Sequence, residues 1–154
     1  MKYKNGFLLF STFLFTACLQ VGPTTQSGKD PTAQMANTAS GRILASLCSR
    51  LNSCNITTDT RTCLERALEL RNIDNELGVP QGKYANYQAL VDAELAKKMS
   101  VNFEAADVCM NSIDQLDCND QSVKRAYDTT LSNPFARMAD MIPKDSEGCQ
   151  AVFK

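Results

Sequence analysis

The chain predicts an all-α fold: a disulfide-stapled bundle of four to six short helices after a disordered tether. Three observations lead there. From Thr38 onward apolar residues recur at intervals of three and four. No stretch alternates convincingly at period two, and β-rich runs are missing. Six cysteines, Cys48, Cys54, Cys63, Cys109, Cys118 and Cys149, are spread through the same region.

The N-terminal element comes first. Lys2 and Lys4 precede an apolar block over residues 6–15, and Thr16-Ala17-Cys18 follows. A basic start, a short apolar run and small residues before a cut make a secretory signal. A helix of about ten residues covers roughly 15 Å, half of a ~30 Å hydrocarbon core, so the block is too short to stay as a span. Residues 14–18 resemble the lipobox of bacterial lipoproteins, with Phe15 where leucine is usual. The resemblance implies cleavage after Ala17 and lipidation of Cys18 by diacylglyceryl and amide-linked acyl (palmitate-type) chains. Several chains anchor firmly where one is marginal. Leu19, in place of the Asp that often signals inner-membrane retention, leans the expected location toward the outer membrane. An ordinary signal cut that leaves Cys18 as a thiol is the plainer alternative.

Three segments follow: a signal peptide at 1–17, lipidated Cys18 and a flexible tether at 18–37, and one cysteine-rich helical domain at 38–154. The tether is rich in Gly, Pro, Thr, Ser and Gln, and about nineteen such residues reach roughly 25 Å. The domain is long enough for one core. Ile43, Leu44, Leu47, Cys48 and Leu51 mark a first helix over 38–52. Residues 52–55 form a turn. Thr58 or Asp59 caps a second helix, with Leu64, Ala67, Leu68 and Leu77 as its buried stripe and Gly78 and Pro80 as its stop. A third helix spans 84–99, with Tyr84, Tyr87, Val91 and Leu95 on one face. A fourth spans 103–116, with Ala106, Cys109, Met110 and Ile113 facing inward. Short helices are expected at 122–131 and, opened by Pro134, at 134–141. The tail is expected to be pinned by Cys149.

The chain holds seven cysteines. With Cys18 taken by lipid, six remain to pair in an oxidising compartment. Each half of the domain holds three, so every complete pairing has at least one bridge between halves. The expected local bridge is Cys48–Cys63, near the closed end of a helical hairpin. Cys109 or Cys118 would pair with Cys149, and the remaining pair, including Cys54, would join the halves. Zinc is disfavoured: the spacings are C-x₅-C and C-x₈-C rather than C-x₂₋₄-C, and the chain has no His. A C-x-x-C redox pair is absent.

No catalytic constellation is found, and a non-enzymatic protein with no cofactor and no metal is expected. Without His, Ser-His and Cys-His nucleophiles are excluded. Lys97, Lys98 and Ser100 read as a solvated helix end rather than a Ser-Lys pair. Asp114, Asp117, Asn119, Asp120 and Asp128 are acidic or polar, but an EF-hand register from Asp117 puts Ser122 where Gly is needed and Asp128 where Glu is needed. A cap and a polar loop explain them better. Asn55-Ile56-Thr57 matches a glycosylation acceptor, which carries little weight in a bacterial chain. Sixteen basic and 17 acidic side chains, with Lys2 and Lys4 leaving in the leader, give no footprint for nucleic acid.

The run Phe103-Glu-Ala-Ala-Asp-Val-Cys109-Met-Asn-Ser-Ile113, then Cys118, then Cys149-Gln-Ala-Val-Phe153, resembles small, largely uncharacterised cysteine-rich lipoproteins of predatory and social bacteria. Cys48, Cys54 and Cys63 fit the same pattern. The resemblance implies extracytoplasmic helices held by disulfides, and no catalytic residues to carry over. Saposin-like lipid binders are a more distant likeness, since they begin with a close C-x-x-C pair. The expected function is a membrane-anchored protein-interaction or envelope module, bound to the bilayer through Cys18 and to an envelope protein partner. The alternative is a carrier of lipid or a small apolar ligand between helices, suggested by Met99, Met110, Met138 and Met141; Met filling core gaps is the simpler account of those side chains.

Overall fold

A computed structural model describes residues 34–71, 73–145 and 148–153. The expected signal peptide, Cys18 and most of the expected tether lie outside the described residues. Five α-helices are present among them: α1 (Ala39–Ser53), α2 (Thr60–Leu68), α3 (Tyr87–Leu95), α4 (Phe103–Asp114) and α5 (Gln121–Arg125). Three 3₁₀ turns, Asp74–Leu77, Met138–Met141 and Cys149–Ala151, join and close them. The sole β pairing among the described residues is an isolated antiparallel bridge between Val101 and Phe153. The fold is an all-α, disulfide-stapled bundle.

The hub is α1. Ala39, Ile43, Leu44, Leu47, Cys48 and Leu51 are all buried, a spacing that puts them on one face. Full burial of each large aliphatic stabilises by about 1.5–3 kcal/mol before chain entropy is charged. This helix packs against α2, α3 and, most extensively, α4. The packed region also reaches back beyond the expected boundary at 37: Met35 is buried and belongs to the core. Gly41 makes that possible. A Cβ there would lie 2.1 Å from the Met35 carbonyl oxygen, so the incoming chain can rest on the first turn of α1 only if residue 41 has no side chain.

Both α1 and α3 stop in the same way. After α1, Asn55 is left-handed (φ 56°), its N–H bonds to Asn52 O, and the Ile56 N–H reaches Leu51 O. After α3, Lys97 (φ 55°) bonds to Glu94 O and the Lys98 N–H to Ala93 O. This is the Schellman arrangement, built here without its usual glycine. Asn tolerates that geometry well; Lys does so at some cost.

Several elements are shorter than predicted. The spacing carries the second helix to Gly78, but it ends at Leu68. The Leu70 carbonyl is taken by the Tyr87 N–H, which turns the chain away. Leu70, Ile73 and Leu77 still point into the core, through a loop and a 3₁₀ turn. That turn ends at Gly78 (φ 88°), where a Cβ would meet Gln150 O at 2.3 Å. The third helix occupies Tyr87–Leu95 rather than 84–99: Asn86 caps its start, and Leu95 is 40% exposed instead of lying on the buried face. Met110 is only half-buried. The expected helices at 122–131 and 134–141 contract to Gln121–Arg125 and Met138–Met141. Between them Asp128, Asn133 and Pro134 turn the backbone by local bonds.

The six cysteines form three bridges: Cys48–Cys63, Cys54–Cys118 and Cys109–Cys149. The first joins α1 to α2 and coincides with the expected hairpin bridge. The second ties the end of α1 to the loop after α4, across the halves. The third selects Cys109 over Cys118 as the partner of Cys149. The tail is held by more than sulfur: Phe153 N–H donates to Leu77 O, and Asn102 N–H to Val152 O.

Cys48–Cys63 and Cys109–Cys149 are equally buried but span 15 and 40 residues. If loop entropy governs their worth, removing the longer bridge with paired alanines costs roughly 0.9 kcal/mol more than removing the shorter. Urea unfolding of the two double variants measures the difference; equal losses would exclude loop closure as the controlling term.

Candidate functional site

The residues singled out for chemistry are placed apart and are occupied locally. Asp117 accepts from Asn119 N–H (2.8 Å), Asp120 from Ser122 N–H (2.7 Å), and Asp128 from both Thr130 N–H and its hydroxyl. Each of these three carboxylates of the EF-hand-like stretch is therefore turned onto its own backbone, as caps and Asx turns are. Among the described residues no three His, Cys, Asp or Glu side chains are grouped to hold a metal ion. Lys97 and Lys98 follow the end of α3, and both are exposed. Asn55 is the left-handed residue closing α1.

The most elaborate polar arrangement lies at the N-terminal end of α1. Thr38 caps the helix: its hydroxyl accepts from Gly41 N–H (2.9 Å) and donates to Met35 O (2.9 Å). Glu94, from the last turn of α3, covers the other free donors. Its carboxylate receives Ala39 N–H (2.5 Å), Ser40 N–H (3.0 Å) and the Ser40 hydroxyl (2.6 Å). A negative group on the unpaired N–H donors of a helix start gains from both the hydrogen bonds and the helix dipole. Beneath it, the Tyr87 hydroxyl donates to Ser40 O (2.8 Å). Burial, reinforced by the nearby charges of Glu94 and Asp74, holds that phenol protonated far above its ordinary range. Nothing in the local sequence marks Glu94 for this role, because its partners lie more than fifty positions earlier.

Among the described residues Asp74 is the buried carboxylate, 4% exposed, and its Oδ2 has no hydrogen-bond partner. Burial raises its pKa; N–H bonds from its own residue and Asn75 act against that. Asp59, which caps α2, is the opposite case: its bonds to Thr62 hold it below the ordinary carboxylate value. Asp120 and Asp128 are lowered in the same way by Ser122 and Thr130.

Clefts open on the surface of the described residues. One, of about 450 Å³, runs over the outward face of α1, floored by Gly41, Ala45 and Ser49 and walled by Leu64 and Met110. A second, of about 460 Å³, lies at the far end of α1 between the start of α2 and the Tyr127–Phe135 ring pair. The third, of about 320 Å³, lies beside Thr38 and Glu94 and is lined by Leu95, Met99 and Phe103. Of the four methionines suggested as ligand-facing, Met138 and Met141 are buried in the core, whereas Met110 and Met99 edge the first and third clefts.

Fold and surface together define a small disulfide-stapled helical protein in which several carboxylates serve helix ends and turns. Comparison with protein-family models, curated proteins and solved structures finds no match to this chain.

Glu94→Ala is expected to destabilise by roughly 3 kcal/mol, since hydrogen bonds to a charged group contribute about 1.5–3 kcal/mol each and the loss bares buried donors. Glu94→Gln, which keeps one carbonyl acceptor, should lose about half as much in the same urea titration. The pH-dependent contributions of these four carboxylates divide at the ordinary Asp value of 3.8. Below it, the contributions of Asp59, Asp120 and Asp128 are lost as pH falls through their lowered pKa values. Above it, the unfolded chain releases the Asp74 proton first, so stability declines as pH rises through the raised value. Asp74→Asn should flatten that upper decline and leave the acid limb unchanged; an unaltered curve would show that Asp74 is not its source.

Proposed function

We propose that this chain is a membrane-anchored extracytoplasmic lipoprotein whose helical domain is a non-enzymatic protein-interaction module of the bacterial envelope. Acylated Cys18 holds it to the bilayer, at the outer membrane, and the domain meets an envelope protein. The observation that carries this reading is the sulfur inventory. Of seven cysteines, six form three bridges, and the seventh stands after Thr16-Ala17 at the end of a short apolar leader. Disulfides persist outside the reducing cytoplasm, so the bridges and the leader support one compartment. Cross-linked helices keep a surface in one shape, which lowers the ordering cost of binding a partner.

A lipid or apolar-ligand carrier is the second reading. The cleft between Leu64 and Met110 favours it. Native mass spectrometry of detergent-extracted protein distinguishes the two, because a carrier retains a ligand that is not the covalent acyl group.

Intact-mass and peptide mapping of mature protein from membranes test the main reading. The expected material begins at Cys18, carries diacylglyceryl and an N-acyl chain, and has no thiol open to alkylation before reduction. An unacylated first residue, or cysteines that react freely, would overturn it. In-cell crosslinking should recover the same envelope protein repeatedly.

A further inference from the structure

Among the described residues three large apolar side chains are exposed: Leu95, Phe103 and Val108. Two of them share one place. Leu95, at the end of α3, and Phe103, at the start of α4, line the same cleft with Met99 and Val101. Phe103 is 59% exposed although it opens a helix whose buried face consists of Ala105, Ala106, Cys109 and Ile113. It faces away from that core, so packing does not account for an aromatic residue there.

The position of the cleft indicates what covers it. Asn37 and Thr38 form part of its wall. The described chain therefore starts at this end of the bundle, and only fifteen residues separate Gln34 from Cys18 in the sequence. Fully extended, that stretch spans at most about 55 Å. Because the tether joins the domain at this end, an anchor at Cys18 brings it to the bilayer surface more often than the far end of α1, which lies roughly 22 Å further along the helix. The cleft also carries the exposed Lys97, with Lys98 next to it, while Glu104 adjoins Phe103. Aromatic and aliphatic side chains beside lysines suit the boundary between headgroups and acyl chains. The Glu94 carboxylate adds little repulsion, because it is engaged by the α1 N-terminus.

We propose that the α3–α4 end of the bundle is a membrane-contact face, with Phe103 and Leu95 entering the interfacial layer of a phospholipid bilayer and Lys97 lying among its headgroups. This rests on the anchored-lipoprotein reading and adds to it an orientation: the second cleft and the Tyr127–Phe135 pair point away from the membrane. The contact is weak by itself. Tethering makes it effective, because a covalent anchor holds the face at high local concentration. Mixed charge around the cleft makes apolar insertion the main term, so the contact should survive raised salt.

The chain has no Trp, so a single introduced indole reports without background. Full-length mature Phe103→Trp protein, extracted from membranes, is reconstituted into phosphatidylethanolamine–phosphatidylglycerol vesicles containing acyl-brominated lipid. Leu95→Trp provides a second reporter should the first perturb folding, and exposed Ser132→Trp is the control at the far end. Vesicle flotation is measured on the same samples. The expected result is flotation with at least twofold quenching of the indole in the Phe103→Trp or Leu95→Trp protein, a blue-shifted emission and an unquenched control, at both low and high salt. Flotation with no quenching at either reporter overturns the membrane-contact face alone and leaves the patch to a protein partner. Equal quenching at the control overturns the orientation. Failure to float removes the anchored reading and this proposal with it.

Discussion

The fold depends on satisfying both ends of its hub helix from distant parts of the chain. Helix α1 is the hub of the bundle, and the residues of its first turn, Ala39, Ser40 and Gly41, are buried. At the start, Thr38 and Glu94 divide the free N–H groups between them. At the end, the left-handed Asn55 folds the backbone back onto its own carbonyls, and Cys54 is bonded to Cys118. Arg50, in the last turn, donates to Leu116 O beyond the end of α4. Unmet backbone groups in such a place cost about as much as a lost hydrogen bond each, which is comparable to a sizeable fraction of a small domain's net stability. Helices α2, α3 and α4 cover its apolar face.

The bridges divide that task by distance. Cys48–Cys63 closes a short hairpin that helical periodicity already favours. Cys54–Cys118 and Cys109–Cys149 close 64 and 40 residues, and chain entropy opposes long closures more strongly than short ones. The two long bridges hold what the helices cannot hold for themselves: a five-residue α5, 3₁₀ turns, and a C-terminal tail lodged between Leu77 and Asn102. Regular structure is sparse between residues 115 and 153, and covalent links there substitute for a periodic apolar face.

Legibility in the sequence follows the same division. α1 and α4 are readable because a single apolar stripe at helical spacing settles both existence and facing. The second helix is over-extended by its spacing because Leu70, Ile73 and Leu77 also keep near-helical intervals, yet they reach the core from a loop whose Leu70 carbonyl is committed to Tyr87. Periodicity reports burial, and burial does not require a continuous helix. Capping residues are partly visible: Asp59 is one of two candidates in the sequence and is the cap of α2 in the fold. The terminations of α1 and α3 are not readable as Schellman motifs, since Asn55 and Lys97 stand where glycine is the usual signal. Glu94 is hidden for a stronger reason. A single acid in an Ala-Glu-Leu-Ala-Lys-Lys context looks like solvated helix surface, and only the tertiary fold brings residues 39 and 40 to it.

These commitments fix several polar side chains in structural roles. Asp59, Asp120 and Asp128 cap or turn backbone, Glu94 holds the α1 terminus, and the Tyr87 phenol is fixed as a donor to Ser40 O. A group whose hydrogen bonds are already used in the resting fold is poorly placed to exchange protons with a substrate, since it must first give up that bonding. Asp74 is the exception in having a bare oxygen, but it is enclosed rather than open to a cleft. The surface also offers shape: a small-residue floor along α1 between Leu64 and Met110, and an apolar lip at Leu95 and Phe103. Both features are framed by elements that the bridges and the Glu94 clamp keep in register. Recognition that relies on shape gains from such rigidity, because less disorder has to be removed when contact is made.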